Sequence, residues 1–501
     1  MMKSLSSGRQ KAYVWAYALL SAAVILFFCT KSSPGYPIND WCDANIYLTI
    51  GKGMTRGQVV YRDLYDHKGP LLYALHALCA WVSFDGFLGV FLMEVLAAAA
   101  FLYYAWQTLA LYGARRAAWV ALPVLALAVY ASYSFSEGDS AEELCMPLVA
   151  ATLYFTLRYL RSGDERMSAR GLMAQGALAG CVLWTKFTII GMHAGLLLML
   201  CIAHGVRSGS WRGAWRALGW LAAGFGLSTL PWLLYFGLNG AILPWLKVYF
   251  YDNLILYGGE SMPLIERVKT ILTYGYGWVI YDPQYTALVF VGFFWFLFGG
   301  KRTNGMEKIA VWAASGLGAL AIFVGCKSYP YYGQALAPLA VLGLIPLCLL
   351  LEKLPQKRGL LAGVAAGVCA ACLAVCPLVA RNMHATSGVT FGEKREDTMQ
   401  YRFAAIIRQT PNATLLNYGF MDAGFYTATG IVPNVKYFQE NNVPLTEMYE
   451  EQTRYIDEAL CDYVVTRGTG PESLLKNYEL VDTADTPNFW YKQVFLYRRI
   501  S

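Results

Sequence analysis

Charged side chains are concentrated in one short stretch of an otherwise apolar front half, residues 41–72, which read WCDANIYLTIGKGMTRGQVVYRDLYDHKGPLL. A carboxylate can act as a general base toward an acceptor group, and Lys and Arg side chains are natural partners of phosphate. The stretch therefore holds the residue types needed to transfer a group from a phosphate ester. Its acids are Asp43, Asp63 and Asp66, and its bases are Lys52, Arg56, Arg62 and Lys68.

Other charged residues lie near the ends of apolar segments. Lysines in such places often only extend toward lipid headgroups. Lys186 and Lys327 therefore have two explanations, contact with headgroups or binding of a phosphate. Glu142 and Glu143 do not, because a carboxylate gains nothing from anionic headgroups. Charges inside membrane segments are rare and usually functional. We therefore expect these residues and the stretch 41–72 to meet at one membrane surface.

The composition is that of a membrane protein. Hydrophobic residues make up 57% and charged residues 15% of the chain, whereas soluble domains carry about 25% charged residues. Apolar runs of roughly 17–25 residues recur, which is the length that crosses a bilayer as a helix. The sequence thus predicts a polytopic α-helical membrane protein. The net charge of +7 is spread over loops and forms no basic, aromatic patch, so no nucleic-acid partner is predicted.

The distribution of Lys and Arg predicts the orientation of the chain. Cytoplasmic loops are enriched in these residues, and every basic short loop falls on one side if the apolar stretch 69–84 is a juxtamembrane helix and not a span. The first run has a basic start but no cleavage site, so we expect an uncleaved helix and not a signal peptide. The eleven predicted spans are 12–30, 87–112, 117–135, 142–160, 171–189, 190–206, 217–238, 284–300, 308–325, 333–351 and 359–380.

This topology predicts a transmembrane catalytic domain over 1–381, whose first outer loop is 31–86. It also places residues 382–501 on the outer side. That segment contains no spanning run, and it is predicted to form a small α/β domain. Its predicted strands are 414–419, 462–467 and 488–499, and its predicted helix is 444–460.

These residues suit one kind of chemistry. Transfer of a sugar from a lipid phosphate needs a base for the acceptor. It also needs positive groups or a metal for the departing phosphate. In the predicted topology a lipid tail could stay in the bilayer while its headgroup meets the polar site.

The outer loops resemble those of GT-C glycosyltransferases. The nearest group is the bacterial protein mannosyltransferase- and aminoarabinose transferase-like enzymes, glycosyltransferase family 39 and its relatives. The segment 137–148, EGDSAEELCMPL, resembles the second outer loop of the family. The segment 326–339, CKSYPYYGQALAPL, resembles a later motif in which Tyr331 or Tyr332 stands where relatives often have His. The first-loop motif is carried by Asp43, Tyr47, Gly57, Tyr61, Asp63, Lys68, Gly69, Pro70 and Leu71.

The resemblance implies that the first-loop acid is catalytic. Asp43 fits this role because it precedes the helix-like ANIYLTIGKGM, and Asp40 is the alternative. Glu143 is preferred to Glu142 as the second acid. Family members differ in their need for a metal, and no His/Asp cluster compels one here, so a divalent cation such as Mg²⁺ or Mn²⁺ stays open.

The other residues of the loop have two explanations. Asp63 and Asp66 either belong to the substrate loop or pair with Arg62 and Lys68 to fix a turn. His67 either tunes the site or caps the helix that follows. Tyr47 and Tyr61 are assigned to the substrate loop. The predicted ligands of the donor phosphate are Lys68, Lys186, Lys327 and Arg62.

We therefore expect a glycosyltransferase of the bacterial inner membrane. It would transfer a sugar from a polyprenyl-phosphate donor, with inversion, to an envelope glycan, lipid or protein on the outer face. A lipid-linked glycan flippase would instead carry charges along a path into the inner half of the bilayer. A polysaccharide polymerase or ligase would use a lipid diphosphate and usually has a large outer loop rich in Arg and His, whereas this chain has five His.

Overall fold

The structure is a computed structural model that describes residues 7–164, 166–257, 262–327, 329–353, 358–385, 388–468, 470–486 and 492–500. Contacts divide the chain into two units. Unit 1 comprises Met1–Cys29, Glu94–Pro231 and Met262–Arg381, and unit 2 comprises Thr30–Met93, Trp232–Ser261 and Asn382–Ser501.

Helices dominate the first four fifths of the chain, as its apolar runs predict. Helices α1 to α8 are Ser7–Cys29, Cys42–Thr55, Pro70–Val82, Leu88–Leu111, Ala117–Tyr130, Ala141–Ser162, Ala169–Leu183 and Ile190–Arg207. Helices α9 to α15 are Trp211–Leu238, Ile242–Leu246, Leu264–Tyr281, Pro283–Phe298, Gly305–Phe323, Ala340–Leu351 and Arg358–Val379.

A helix lies at each of the eleven predicted spans. Among the described residues, seven helical segments are long and apolar enough to cross a membrane. The other four predicted spans coincide with α5, α6, α7 and α12, which are shorter or more charged. The number of helices that cross the bilayer therefore stays a prediction. The seven segments are Gly8–Cys29, Leu88–Leu111, Phe187–Arg207, Trp211–Leu238, Gly305–Phe323, Pro330–Leu351 and Gly363–His384.

Small residues bring the helices of unit 1 into close contact. Gly191 and Gly195 of α8 face the backbone of α13, and a Cβ at Gly191 would overlap the carbonyl oxygen of Leu317. Such glycines let helix backbones approach closely, which is how membrane helices gain packing energy without a hydrophobic driving force.

Unit 2 is built around α2 and α3, which belong to the predicted first outer loop. Gly51 of α2 lies against the backbone of α3 at His76 and Ala77. The apolar core of this unit joins the loop to the C-terminal segment, because Ala404 and Ala428 pack with loop residues such as Leu48 and Phe87. The core also contains Ile38, Ala44, Cys79, Ala80, Val90 and Val389.

The C-terminal segment forms the predicted α/β fold. Helices α16 to α19 are Met399–Ile407, Phe425–Thr429, Thr446–Asp457 and Leu474–Asn477, and strands β1 to β4 are Leu415–Tyr418, Tyr463–Thr466, Tyr478–Asp485 and Gln493–Arg499. The strand order is β1-β2-β4-β3. Strand β2 is parallel to β1 and antiparallel to β4, with Leu416 opposite Val464 and Val465 opposite Leu496.

These elements confirm the strands predicted at 414–419 and 462–467 and the helix predicted at 444–460. The third predicted strand, 488–499, is observed over Gln493–Arg499, and residues 487–491 lie outside the described part of the chain. Strand β3 was not predicted, because its sequence YELVDTAD is acidic and lacks a regular apolar alternation. Helix α11 was not predicted either, and none of its residues is buried within the described structure.

Lys52 provides a test of the core of unit 2. This α2 side chain is 0% exposed, and its Nζ donates a hydrogen bond to the carbonyl oxygen of Tyr426 at 2.8 Å. Burial lowers the pKa of Lys52 to about 8, although the negative charges of Asp422 and Asp85 oppose this effect. In an unfolded chain the lysine pKa is about 10.4. The unfolded state therefore binds more protons between these two values, so the free energy of unfolding rises with pH there.

We predict that the melting temperature of the wild type rises between pH 8 and pH 10 relative to that of Lys52→Met. Thermal unfolding of both proteins in the same detergent measures this difference. Parallel pH profiles for the two proteins would contradict the assignment of a buried, deprotonating lysine.

Candidate functional site

Asp43 lies in the first turn of α2, where a carboxylate interacts favourably with the helix N-terminus. The residue is 6% exposed. Its Oδ2 accepts a hydrogen bond from the hydroxyl of Tyr47, one helical turn later, at 2.9 Å, and lies 3.9 Å from Nζ of Lys68. Within the described residues no contact engages Oδ1. The carboxylate is thus fixed and charge-paired, and one oxygen is left for a further partner.

Two tyrosine hydroxyls fix the backbone of Lys68. Its carbonyl oxygen accepts a hydrogen bond from the hydroxyl of Tyr61 at 2.6 Å, and its N–H donates to the hydroxyl oxygen of Tyr73 at 2.9 Å. Tyr61 reaches this position with a positive φ of 71°, an uncommon and strained conformation for an aromatic residue. The backbone of the loop is therefore fixed at the point from which the lysine side chain extends.

Asp66 connects this loop to the C-terminal segment within unit 2. The hydroxyl of Tyr73 donates to Oδ2 of Asp66 at 2.5 Å, and Nδ2 of Asn441 donates to Oδ1 at 2.9 Å. Asn441 also contacts Nδ1 of His67 through its Oδ1 at 3.0 Å. Asp66 is 1% exposed, and a buried carboxylate needs such partners to avoid a large desolvation penalty. These contacts give Asp66 a structural role, through Tyr73 and Asn441 and not through the predicted pairing with Lys68 or Arg62. Nε2 of His67 lies 3.4 Å from Nζ of Lys68, so both explanations for His67 stay predictions.

Asp40 has a different environment from Asp43. Its Oδ1 pairs with Nζ of the buried Lys31 at 2.6 Å, and its Oδ2 accepts the backbone N–H of Val389 at 2.8 Å. The neighbouring Gly388 has a φ of +76°, and a Cβ there would overlap the Asp40 carboxylate. Both oxygens of Asp40 are thus engaged, Oδ1 by Lys31 of the same loop and Oδ2 by Val389 of the C-terminal segment.

Arg62 and Asp63 form an ion pair at a turn. Nε of Arg62 donates to Oδ1 of Asp63, and Nη2 donates to Oδ2, each at 2.8 Å. This pairing lowers the pKa of Asp63. Arg62 also donates to the carbonyl oxygen of Asn239 at 2.7 Å, and Asp63 accepts the N–H of Val59 at 2.8 Å. The structure therefore brings Arg62 to Asp63, and not to Asp43 or Lys68.

In unit 1, Glu142 forms an ion pair with Lys186. Ser140 caps α6 by accepting the N–H of Glu143, which places Glu142 in the first turn of that helix. Glu142 is 2% and Lys186 8% exposed. Nζ of Lys186 also lies over two aromatic rings, 4.4 Å from the centroid of Tyr332 and 5.0 Å from that of Tyr331. The lysine is thus bound by an acid and two π faces.

Glu143 points to a separate group of acids. Its Oε2 accepts the N–H of Asp139 at 3.0 Å, and Oε1 of Glu94 accepts the same N–H at 2.8 Å. Glu143 and Glu94 are both 0% exposed. Of the two candidates for the second acid, the one that contacts a predicted phosphate ligand is therefore Glu142.

Lys327 lines a cavity of about 350 Å³ in unit 1. Aromatic residues contribute much of the wall, and Tyr133 stacks on Tyr281 with ring centroids 4.9 Å apart. Tyr329, another wall residue, stacks on Tyr331 at 5.4 Å. Through Tyr331 the wall of this cavity reaches Lys186.

The described residues contain no group of three or more His, Cys, Asp or Glu side chains arranged to hold a metal ion. The need for a divalent cation therefore stays an open prediction.

Sequence reasoning missed Asn441 and Tyr73, which hold Asp66. It also missed the hydrogen bond that the hydroxyl of Tyr65 donates to Oδ2 of Asp252 at 3.0 Å. Tyr73 lies two residues after the KGPL motif (68–71), so its closeness to the motif could have marked it as part of the loop network. Asn441 and Asp252 lie in segments without any recognised motif, and only the folded structure brings them to the loop.

Comparison with known proteins places these observations in context. Residues 67–235 match the family model for dolichyl-phosphate-mannose-protein mannosyltransferase. No curated protein matches the chain. Two solved structures of ArnT from Cupriavidus metallidurans are similar over 98% of both chains. The one bound to undecaprenyl phosphate has a TM-score of 0.59 at 15% identity, and the apo structure has a TM-score of 0.56 at 16% identity. These matches confirm the predicted GT-C-like membrane fold with a small C-terminal α/β domain.

The Glu142–Lys186 pair gives a stability prediction. Removing one partner of a buried ion pair costs about 3–5 kcal/mol, whereas replacing both is often neutral. We predict that Lys186→Met and Glu142→Met each lower the thermal unfolding midpoint in detergent, and that the double variant, which replaces both charges by apolar side chains, recovers most of the loss. Additive losses in the double variant would show that the two side chains are not coupled.

Proposed function

We propose that the protein is a membrane glycosyltransferase that uses a polyprenyl-phosphate sugar as donor and an envelope glycan, lipid or protein as acceptor. The observation that carries this proposal is the fixed Asp43 carboxylate beside Lys68, in the loop that resembles the first outer loop of GT-C enzymes. Two comparisons support the donor class. The matching family model is described by a polyprenyl-type phosphate donor, and the similar ArnT structure binds undecaprenyl phosphate.

In the proposed reaction Asp43 is the general base. Its Oδ1 receives the proton of the acceptor group as that group attacks the anomeric carbon of the sugar. The new bond forms on the face opposite the phosphate, and the bond between the anomeric carbon and the phosphate oxygen breaks. The polyprenyl phosphate leaves with the bonding electrons, so the sugar is transferred with inversion. Tyr47 keeps the carboxylate in position through its hydrogen bond to Oδ2.

Lys68 is the proposed partner of the donor phosphate in unit 2. It is 13% exposed in its side chain, and its Nζ lies 3.9 Å from Asp43 and 3.4 Å from Nε2 of His67. A lysine in this place can stabilise the negative charge that grows on the departing phosphate. Arg62 is less suited to this task, because Asp63 and Asn239 already accept from three of its nitrogens.

Lys186 and Lys327 of unit 1 remain proposed phosphate ligands. The contacts of Lys186 with Glu142 and two tyrosines show a lysine that the fold holds in one place. Glu142 is accordingly proposed as the second acid, which orients this lysine, in place of Glu143. The C-terminal segment, through Asn441, is proposed to position the loop and to help select the acceptor.

We propose the outer face of the bacterial cytoplasmic membrane as the place of reaction. The support is the distribution of Lys and Arg among the short loops. The segments that carry Asp43 and residues 382–501 lie on the opposite side from these loops in the predicted topology.

An assay of donor cleavage tests the donor class. Purified protein in nanodiscs is given a panel of radiolabelled undecaprenyl-phosphate sugars and undecaprenyl-diphosphate sugars. We expect release of undecaprenyl phosphate from at least one monophosphate donor. Release from diphosphate donors alone would favour a polymerase or ligase. Movement of an intact donor across the membrane of a liposome, without release, would favour a flippase.

The role of Lys68 gives a kinetic prediction. Losing a hydrogen bond to a charged group costs about 1.5–3 kcal/mol, so Lys68→Met should raise the KM for the donor by about tenfold or more and also lower kcat. Lys476→Met is the matched control, because this lysine is exposed on α19 of the same unit. Unchanged donor kinetics in Lys68→Met would remove the lysine from the phosphate site.

A further inference from the structure

A second basic cavity, of about 200 Å³, lies in unit 1 at the ends of three helices. Lys11 comes from the first turns of α1, Arg158 from the last turns of α6, and Arg115 from the loop that follows α4. In the predicted topology these helix ends share the side of the basic short loops, which is the side opposite Asp43. The cavity is therefore separate from the proposed reaction.

The charges of this cavity are uncompensated. Among the described residues no acidic side chain lines it, and neither Lys11, Arg115 nor Arg158 forms an ion pair. Three cations that line one small cavity repel each other, so an anion there would be stabilised by all three. Ordinary basic loops only face an anionic membrane surface, whereas here the cations share the wall of one recess.

The wall also contains a buried donor without a partner. Trp106 of α4 is 4% exposed, and its indole Nε1–H has no hydrogen-bond partner within the described chain. A buried N–H group without a partner is unfavourable, and native structures rarely leave one. Trp106 lines the cavity together with Gln10. An oxygen atom of a bound molecule would satisfy the indole, because the indole can only donate.

We propose that this cavity binds the phosphate group of an anionic glycerophospholipid of the cytoplasmic leaflet. Phosphate oxygens suit both the three cations and the indole N–H. The rest of the wall includes Ala110 and Leu111 on a membrane helix, which is a suitable neighbour for the glycerol and the first part of an acyl chain. Basic pockets between membrane helices on this side are a known form of lipid headgroup site. A soluble phosphate ester offers the same group without the chains.

Native mass spectrometry, which counts bound lipid molecules, tests this proposal. Delipidated protein in detergent is titrated with phosphatidylglycerol and, separately, with phosphatidylcholine. We expect the wild type to bind phosphatidylglycerol in preference. Arg158→Gln should weaken that binding by about tenfold, which is the loss of one charge-assisted hydrogen bond. Trp106→Phe keeps the ring and removes the N–H, so it should weaken binding by a smaller factor.

Arg216→Gln is the matched control. It removes the same charge from the same predicted side, and Arg216 is exposed on α9 and does not line the cavity. This variant should bind phosphatidylglycerol like the wild type. Because Arg158 is itself exposed, Arg158→Gln should fold even where Trp106→Phe is less stable.

Three results would overturn the proposal. The first is equal binding of phosphatidylglycerol by the wild type, Arg158→Gln and Arg216→Gln. The second is equal binding of the two lipids by the wild type. The third is complete displacement of the lipid by glycerol 3-phosphate at equal concentration, which would assign the cavity to a soluble phosphate ester.

Discussion

The buried carboxylate of Asp66 is the constraint on which the candidate site depends. A carboxylate that is 1% exposed must be satisfied by donors, and here the donors come from Tyr73 and Asn441. Tyr73 also accepts the N–H of Lys68, so the same network fixes the backbone beside the lysine. Lys68 in turn lies next to Asp43. The position of the proposed base is thus coupled, within unit 2, to a residue of the C-terminal segment.

In unit 1 a buried acid is likewise satisfied by a partner, which here is a lysine. Glu142 and Lys186 are both buried, and each removes from the other the penalty of an unpaired charge. The rings of Tyr331 and Tyr332 give the lysine further support. A charge held in this way is costly to keep and precise in its position. Both units therefore carry a lysine whose position is fixed by acidic and aromatic side chains.

The sequence predicts what depends on local pattern. Apolar runs predict a helix at each of the eleven spans and the core strands of the C-terminal segment. They also predict the helix at 69–84, which is observed over Pro70–Val82. The motif around Asp43 identifies the loop, and its register before the helix favours Asp43, with Asp40 left as the alternative. The structure separates their environments, because Lys31 and Val389 use both oxygens of Asp40. Asn441 could not be predicted, since it lies hundreds of residues from Asp66 and belongs to no motif.

The most direct test of the account compares the turnover of Asp43→Asn with that of Asp40→Asn, both in nanodiscs with a donor that the wild type uses. Loss of a general base typically lowers the rate by about 10²–10⁴-fold. We predict such a loss of turnover for Asp43→Asn with a small loss of thermal stability. For Asp40→Asn we predict a larger loss of thermal stability with near-normal turnover per folded molecule. Near-normal turnover of Asp43→Asn, or an equal catalytic loss in both folded variants, would contradict the account.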